Sequence, residues 1–259
     1  MSEQALYLET KQGEYAIGLE PEQEVPVPPL ELMEYKEAAK VHLEGGKREI
    51  DSLLSILEGC DFSWDRTSRV LEFGSNNGRL IRWLEPYAEG REIWGVDIQA
   101  EKVLWAMENL SPLLRFATTT TVPHLPFADG HFDLIYAGSV FTHLGELHVA
   151  WLAELCRILA PGGLLYITVH DEESVRILES EPGRDRLKER IEGSAHRDAL
   201  RSGDFGFVSM APYGNAMLSL VMMSEPYVMR IARPLELVGR FPKAYSGFQT
   251  AYVFRQPGD

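Results

Sequence analysis

Between residues 69 and 169, short apolar runs alternate with segments in which apolar residues recur every three or four positions. The apolar runs predict strands at residues 69–73, 92–97, 113–118, 132–138 and 164–169. The periodic segments predict helices at residues 78–88, 100–109 and 146–159. This alternation predicts an α/β fold, in which a mostly parallel sheet carries helices on both faces through right-handed crossovers.

The segments at the two ends of the chain extend this core. Residues 1–30 are acidic and contain four prolines, which indicates a loosely ordered N-terminal arm. From Glu31 to Leu57 the periodicity predicts two helices separated by Gly45-Gly46. Apolar runs at Leu235–Val238 and Phe248–Phe254 predict an antiparallel pair at the edge of the sheet. The sheet therefore has seven predicted strands.

We predict that residues 31–259 form one domain with its core at residues 68–171. Residues 171–204 are strongly charged and mostly lack an apolar stripe, which predicts an exposed helical insertion. The stretch 205–230 holds five of the eight methionines, namely Met210, Met217, Met222, Met223 and Met229, with Tyr213 and Tyr227 among them. Because methionine adapts to irregular apolar shapes, this stretch is predicted to be a mobile lid over an apolar or mixed acceptor, within a lid and insertion region at residues 172–230. Ordinary helix packing is the alternative.

The first predicted strand leads into a glycine loop, Glu72-Phe73-Gly74-Ser75-Asn76-Asn77-Gly78. Such a loop brings backbone close to a ligand and directs amides at it. Asp97 ends the next strand, where an acid suits hydrogen bonding to ribose hydroxyls. The pair predicts a nucleoside cofactor. The spacing departs from the G-x-G-x-x-G of dinucleotide binders and from the P-loop, which argues against nicotinamide and nucleoside triphosphate ligands.

The composition narrows the class of partner. The chain of 259 residues has a net charge of −14, which disfavours DNA or RNA as substrate. Cys60 and Cys156 form no metal-ligand spacing and no disulfide framework, so we expect reduced thiols in a cytoplasmic protein. The N-terminus lacks the pattern of a secretory signal, and no apolar run approaches the length of a membrane span.

Three further segments follow the glycine loop along the chain, namely Leu125–Asp133, Ser139–Leu144 and Leu155–Gly163. Together with the glycine loop, they resemble the class I S-adenosylmethionine-dependent methyltransferases. The motif Phe-Thr-His-Leu at residues 141–144 resembles that of the branch that acts on small metabolites, sugars or natural products. The resemblance implies a Rossmann-like fold and the cofactor S-adenosylmethionine, with S-adenosylhomocysteine as its product.

The resemblance also implies residue roles. Glu72 is expected to face the methionine amino group, Asp97 to hold both ribose hydroxyls, and Ile98 to lie against the adenine. Asn76 stands where the family usually has its middle glycine, and asparagine tolerates positive φ better than most residues. The full set of expected cofactor contacts is Glu72, Gly74, Ser75, Asn76, Gly78, Asp97, Ile98, Thr121, Val122 and Ser139.

Methyl transfer to a hydroxyl requires a base, and the chain has seven histidines. His143 and His170 are the candidates, because both follow the carboxyl ends of core strands, where ligands bind in such sheets. A structural histidine bonded to a neighbouring loop is the alternative for each. His143, Glu146 and His148 could suggest a metal site, but positions 143 and 148 do not share a helix face, so no metal is predicted.

We therefore predict an enzyme that transfers a methyl group to a small-molecule acceptor, with a hydroxyl oxygen as the acceptor atom. Transfer to nitrogen or carbon is an alternative within the same class. A non-catalytic scaffold or regulatory protein that binds S-adenosylmethionine is an alternative outside it. The oligomeric state is left open.

Overall fold

The computed structural model of the chain describes residues 6–10, 13–17, 25–33, 39–211 and 219–258. The strands are β1 (Leu6–Thr10), β2 (Gly13–Ile17), β3 (Arg69–Phe73), β4 (Glu92–Asp97), β5 (Leu114–Thr118), β6 (Phe132–Ala137), β7 (Leu159–Val169), β8 (Phe207–Met210), β9 (Leu220–Met223), β10 (Glu236–Tyr245) and β11 (Gln249–Arg255). The helices are α1 (Ala39–Glu58), α2 (Ala100–Asn109), α3 (His148–Ile158), α4 (Glu172–Ser180), α5 (Asp185–Glu192), α6 (Arg197–Ser202) and α7 (Glu225–Ile231). Short 3₁₀ helices occupy Leu30–Leu32, Trp64–Arg66 and Ile81–Tyr87.

The central sheet has seven strands in the order β10-β11-β7-β6-β3-β4-β5. The five strands from β7 to β5 pair in parallel. Strand β11 is antiparallel to both β7 and β10, so the C-terminal edge pair is confirmed. The predicted fold class is therefore confirmed.

Alternate side chains of the buried strands pack against helices on opposite faces, as expected for a sheet covered on both sides. One face of the sheet packs against α3 and α7, through residues such as Trp151, Leu155 and Val228. The other face packs against α1 and α2, through residues such as Leu53 and Val103. This sandwich leaves the carboxyl ends of the parallel strands as the place where loops can form a site.

The predicted helix at residues 78–88 is wrong in type. The structure has a 3₁₀ helix at Ile81–Tyr87 with Pro86 inside it. Proline has no backbone N–H, so an α-helical bond from residue 86 to Arg82 cannot form. The apolar spacing was still informative, because Ile81 and Leu84 are buried against the sheet.

The predicted break at Gly45-Gly46 is also wrong, because α1 runs through it without interruption. Gly46 is needed for packing: a Cβ there would lie 2.4 Å from the carbonyl oxygen of Arg79. A Cβ at Gly45 would meet nothing nearer than a flexible Arg79 nitrogen at 3.5 Å. Helix α1 therefore crosses the segment after the glycine loop at backbone contact distance.

The two glycines give a matched pair of predictions. Gly45→Ala is expected to raise the free energy of unfolding by about 0.5–1 kcal/mol, because alanine is the better helix former. Gly46→Ala is expected to lower it by about 1–3 kcal/mol, because the added methyl overpacks the contact with Arg79. Urea denaturation of both variants measures the difference, and equal effects of the same sign would contradict the close approach of α1.

The insertion after β7 has its own apolar core, so the expectation that residues 171–204 mostly lack a core stripe is wrong. A buried apolar cluster joins helices α4, α5 and α6 to strands β8 and β9. Its buried residues are Val175, Ile177, Leu178, Ile191, Leu200, Val208, Leu220, Met222 and Phe248. Met222 and Met223 are buried, which favours packing for these two methionines. Tyr213 and Met217 lie outside the described residues.

Two strands lie among the described residues of the N-terminal segment. Strands β1 and β2 pair as an antiparallel hairpin. Arg82 donates to the carbonyl of Pro26, and the Asn77 amide donates to the carbonyl of Leu32. These bonds tie the segment 25–33 to the glycine loop. Part of the predicted helical stretch, residues 34–38, lies outside the described residues. Within the described ranges, no helix has the length and apolar character needed to cross a membrane.

Candidate functional site

The glycine loop and the acid that ends β4 lie side by side, as predicted. The backbone N–H groups of Gly74 and Ser75 both donate to the carbonyl of Val96, at 2.8 and 3.0 Å. The N–H of Asn76 donates to Asp97 Oδ2 at 2.8 Å. Asn76 adopts φ +53°, so this asparagine takes the left-handed conformation that a glycine would otherwise supply.

A cavity of about 450 Å³ opens at the carboxyl ends of β3, β4, β5 and β6. Nine of the predicted site residues line it, namely Glu72, Gly74, Ser75, Asn76, Asp97, Ile98, Thr121, Ser139 and His143. Its size is that of a pocket for a small ligand. The structure thus brings together most of the residues that the sequence proposed, although they are spread over four strand ends.

Three predicted residues, Gly78, Val122 and His170, are not among those that line the cavity. Gly78 has φ +73°, and a Cβ there would lie 2.4 Å from Leu110 Cδ1, so this glycine serves the packing of α2 against the loop. Val122 is exposed beyond the cavity's rim. His170 is buried behind the cavity wall.

Gly74 is required by both conformation and space. Its φ is +83°, and a Cβ there would lie 2.3 Å from Val140 Cγ2. Val140 follows β6 and also lines the cavity. The two loops therefore meet at a contact that leaves no room for a side chain.

Asp97 is a nearly buried carboxylate that organises the loop. Its Oδ1 accepts from the N–H of Gln99 at 2.9 Å, and its Oδ2 accepts from Asn76. Each carboxylate oxygen has two lone pairs, so one on each oxygen is left for a ligand hydroxyl. This geometry is compatible with the predicted pair of bonds to a ribose.

Glu72 lies at the base of the cavity with its side chain buried. Its Oε2 accepts from the Tyr136 hydroxyl at 3.1 Å and from the Ile81 N–H at 3.0 Å. Burial raises the pKa of this carboxyl to about 8, although both hydrogen bonds and nearby Arg79 oppose the shift. Burial therefore favours the neutral form of this carboxyl.

Ser139 is held in place by a buried polar network. Its φ is +58°, its N–H donates to Thr168 Oγ1 at 2.7 Å, and its hydroxyl accepts from Gln249 Nε2 at 2.8 Å. Thr168 in turn donates to Gln249 Oε1. The network anchors the end of β6 to the antiparallel strand β11.

His143 is half-buried and lines the cavity. Its Nδ1 lies 2.8 Å from the carbonyl oxygen of Ser219. Because a carbonyl only accepts, Nδ1 carries the proton, and the neutral ring keeps a lone pair on Nε2. This is the tautomer in which Nε2 can accept a proton from a substrate.

The sequence interpretation missed residues that reach the cavity from distant parts of the chain. Helix α1 contributes His42, the segment after the glycine loop contributes Arg79, and the end of β10 contributes Tyr245. Arg79 donates to the Tyr245 hydroxyl at 2.7 Å. Burial, together with nearby Arg82 and Arg79, lowers the pKa of His42 to about 4, so this histidine is neutral. The helical register of α1 was the one available signal, since it places His42 beside buried Ala39 and Gly46.

Among the described residues, no group of three or more His, Cys, Asp or Glu side chains is arranged to hold a metal ion. Both ring nitrogens of His148 bond to groups other than His143. Its Nδ1 donates to the carbonyl of Gly145, and its Nε2 bonds to the Tyr227 hydroxyl at 2.7 Å.

Comparison with known proteins agrees with this fold. Residues 71–167 match a family model described as a methyltransferase domain. Residues 71–167 are therefore similar to a methyltransferase domain, and the sheet has the Rossmann-like fold of the class I S-adenosylmethionine-dependent methyltransferases, as the sequence predicted.

The chain is 29% identical over 177 residues to the malonyl-acyl-carrier-protein O-methyltransferase of Geobacter sulfurreducens, covering 63% of this chain and 64% of that protein. It is 30% identical over 131 residues to the demethylmenaquinone methyltransferase of Thermus thermophilus, covering 46% and 58%. The chain therefore spans less than two thirds of the length of these curated relatives.

A solved structure with a similar fold is the 1,6-didemethyltoxoflavin-N1-methyltransferase of Burkholderia thailandensis, which contains S-adenosylhomocysteine. The TM-score is 0.53 at 16% identity, and the alignment covers 83% of this chain and 79% of that one. At this identity the likeness establishes the fold alone.

Proposed function

We propose that this protein is an enzyme that transfers a methyl group from S-adenosylmethionine to a hydroxyl oxygen of a small molecule. The observation that carries the proposal is the placement of His143, whose ring lines the same cavity as Glu72 and Asp97 and has its Nδ1 proton fixed by a carbonyl. The relatives are named for transfer to different atoms, so the choice of oxygen rests on this histidine.

The chemistry of the cavity suits this cofactor. Glu72 and Asp97 place two carboxyl groups on the wall of a concave site, where a ligand with cationic groups and a diol would find acceptors. Gly74 lets the glycine loop pack directly against Val140, because a Cβ there would lie 2.3 Å from Val140 Cγ2. Half-exposed Ile98 and the threonines at 119–121 provide a mixed surface for a purine.

When bound, the cofactor supplies an activated methyl group, so the protein has no need of a covalent intermediate. The protein must align the acceptor oxygen and take its proton. His143 Nε2 is the group placed to accept that proton, and the Nδ1–H bond to Ser219 disperses the positive charge that follows. Val140, Leu144 and Trp151 add apolar surface that limits the access of water.

The cavity volume favours a small acceptor, and the charge of −14 disfavours a polyanionic one. The test is an acceptor screen. Purified protein is incubated with S-adenosylmethionine and a panel of phenols, hydroxy acids, amines and activated carbon acids, and S-adenosylhomocysteine is quantified by mass spectrometry. Methylation of hydroxyl acceptors is expected. Calorimetric binding of S-adenosylhomocysteine without turnover of any acceptor would instead support the scaffold alternative.

Glu72 gives a prediction for cofactor binding that includes its pH dependence. A bound ammonium stabilises the ionised carboxylate, so cofactor affinity is expected to fall up to tenfold for each pH unit below about 8. The glutamine of Glu72→Gln cannot ionise, so this variant is expected to lack that pH dependence of the cofactor affinity. Calorimetry with S-adenosylhomocysteine from pH 6 to 9 measures both proteins, and the ligand's own titration is common to the two curves. Parallel curves would contradict the role of Glu72.

The unliganded protein provides the companion measurement. Folding raises the pKa of Glu72 from about 4.5 to about 8, so between these pH values the carboxyl ionises in the unfolded chain but stays protonated in the folded one, and the folded state loses stability as pH rises. Wild-type protein is expected to lose stability over that range relative to Glu72→Gln.

A further inference from the structure

Strand β9 lies between the insertion and the wall of the cavity. One edge of β9 pairs with β8, in the register that places Val208 opposite Met222 and Phe207 opposite Met223. Residues 219, 221 and 223 share the other edge, because backbone groups alternate along a strand. That second edge is closed by groups from the cavity wall and from the end of β7.

Four hydrogen bonds link this edge of β9 to residues 142, 143 and 170. His143 Nδ1 bonds to the carbonyl of Ser219, and the N–H of Val221 donates to the carbonyl of Thr142 at 2.9 Å. His170 Nδ1 bonds to the carbonyl of Val221 at 3.1 Å, and the N–H of Met223 donates to the carbonyl of His170 at 2.9 Å. Two histidine rings thus hold alternate carbonyls of the same strand edge.

Both histidine rings carry their proton on Nδ1, but their surroundings differ. His143 faces the cavity, whereas His170 is buried and stacks on Phe248 with ring centroids 5.2 Å apart. Burial lowers the pKa of His170 to about 3, so its ring is neutral at physiological pH. Among the described residues, its Nε2 has no hydrogen-bond partner. Within the part of the chain that the structure describes, the one hydrogen bond of the His170 ring is therefore the bond to β9.

We propose that His170 is a positioning residue that acts on His143 through β9. The Nδ1–H of His170 fixes the carbonyl of Val221, and the same peptide strand presents the carbonyl of Ser219 to His143 two residues earlier. Without that anchor, the edge of β9 shifts relative to the cavity wall, and His143 loses the acceptor that selects its tautomer. The proposal rests on the proposed base role of His143 and extends it to the insertion.

Two variants separate this role from packing. His170→Leu keeps an apolar filling but removes the donor, whereas the side-chain amide of His170→Asn places an N–H near the position of Nδ1. We expect His170→Leu to lower kcat by about tenfold with little change in the KM for S-adenosylmethionine, and His170→Asn to recover most of the loss. Equal losses in both variants, or an unchanged kcat in His170→Leu, would overturn the proposal.

A double-mutant cycle with His143→Ala identifies the route of the effect. If His170 acts through His143, then adding His170→Leu to His143→Ala is expected to cost no further activity. Additive losses would show that His170 stabilises the fold without positioning the base.

The tautomer of His143 can be measured by NMR without an assay of enzyme activity. Long-range ¹H–¹⁵N correlation spectra of the histidine rings are expected to show His143 protonated on Nδ1 in the wild-type protein and in His170→Asn. In His170→Leu we expect a shift toward the Nε2-protonated form. An unchanged His143 tautomer in His170→Leu would refute the inference even if no acceptor is found, whereas the acceptor screen alone decides the proposed function.

Discussion

Replacing His143 with alanine is expected to lower kcat for a hydroxyl acceptor by about 10²- to 10⁴-fold, the usual contribution of a positioned general base. The ring lines the cavity, and its Nδ1 proton is held by the carbonyl of Ser219, so Nε2 is left to accept a proton. Affinity for S-adenosylhomocysteine is expected to change little, because the carboxyl groups at the cofactor end of the cavity are untouched. Steady-state kinetics and calorimetry on the same preparation measure the two quantities.

The control is His196→Ala, which removes an exposed histidine at the start of α6, outside the cavity lining. It is expected to leave kcat unchanged. Full activity of His143→Ala with an oxygen acceptor would eliminate this histidine as the base. Full activity with an amine acceptor would favour N-methylation, which needs no dedicated base.

Asp97→Ala is expected to weaken cofactor binding more than tenfold, by about 1.5–3 kcal/mol. The carboxylate would supply the acceptors for the ribose hydroxyls, and it also fixes the N–H groups of Asn76 and Gln99. Both the direct contact and the shape of the glycine loop are therefore lost. Calorimetric titration with S-adenosylhomocysteine measures the effect.

Asp133→Ala is the matched control for Asp97→Ala. Asp133 also accepts from two backbone N–H groups, those of Ser68 and Arg69, at 2.8 and 2.9 Å. It lies at the opposite end of the sheet and does not line the cavity. We expect a comparable loss of stability but unchanged cofactor affinity. Equal weakening of binding in both variants would mean that Asp97 acts only through stability.

Local sequence information was sufficient for the central part of this fold. The runs at residues 69–73 and 92–97 coincide with β3 and β4, because a buried parallel strand needs a continuous apolar run and ends where polar loop residues begin. The adjacency of Gly74 and Asp97 followed from topology, since consecutive parallel strands present their carboxyl ends at one edge.

Local information failed where a distant contact decides the conformation. Gly45-Gly46 predicts a helix break, yet the pair lies inside α1, and Gly46 is required there because the Arg79 carbonyl leaves no room for a Cβ. Gly78 reads as a ligand-binding glycine, yet its space is taken by Leu110. In each case the glycine is explained by a neighbour more than thirty positions away in sequence.

His143 and His170 show the same difference between what local sequence predicts and what distant contacts decide. Sequence alone placed His143 and His170 at strand ends and gave no reason to distinguish them. The structure places the first at the cavity and buries the second, and one edge of β9 bonds to both rings. The bond from His143 reaches a residue 76 positions later, a separation that periodicity cannot encode.

By itself, the sequence determined the fold class, the glycine loop and the acid that faces it, since these depend on apolar runs and turn residues within a few positions of each other. The tertiary structure alone decided which histidine meets the cavity, which glycines serve packing, and which residues of α1 and β10 complete the wall. Those outcomes depend on how closely separate elements pack, and that is set by side-chain volumes and hydrogen bonds between segments far apart in the chain.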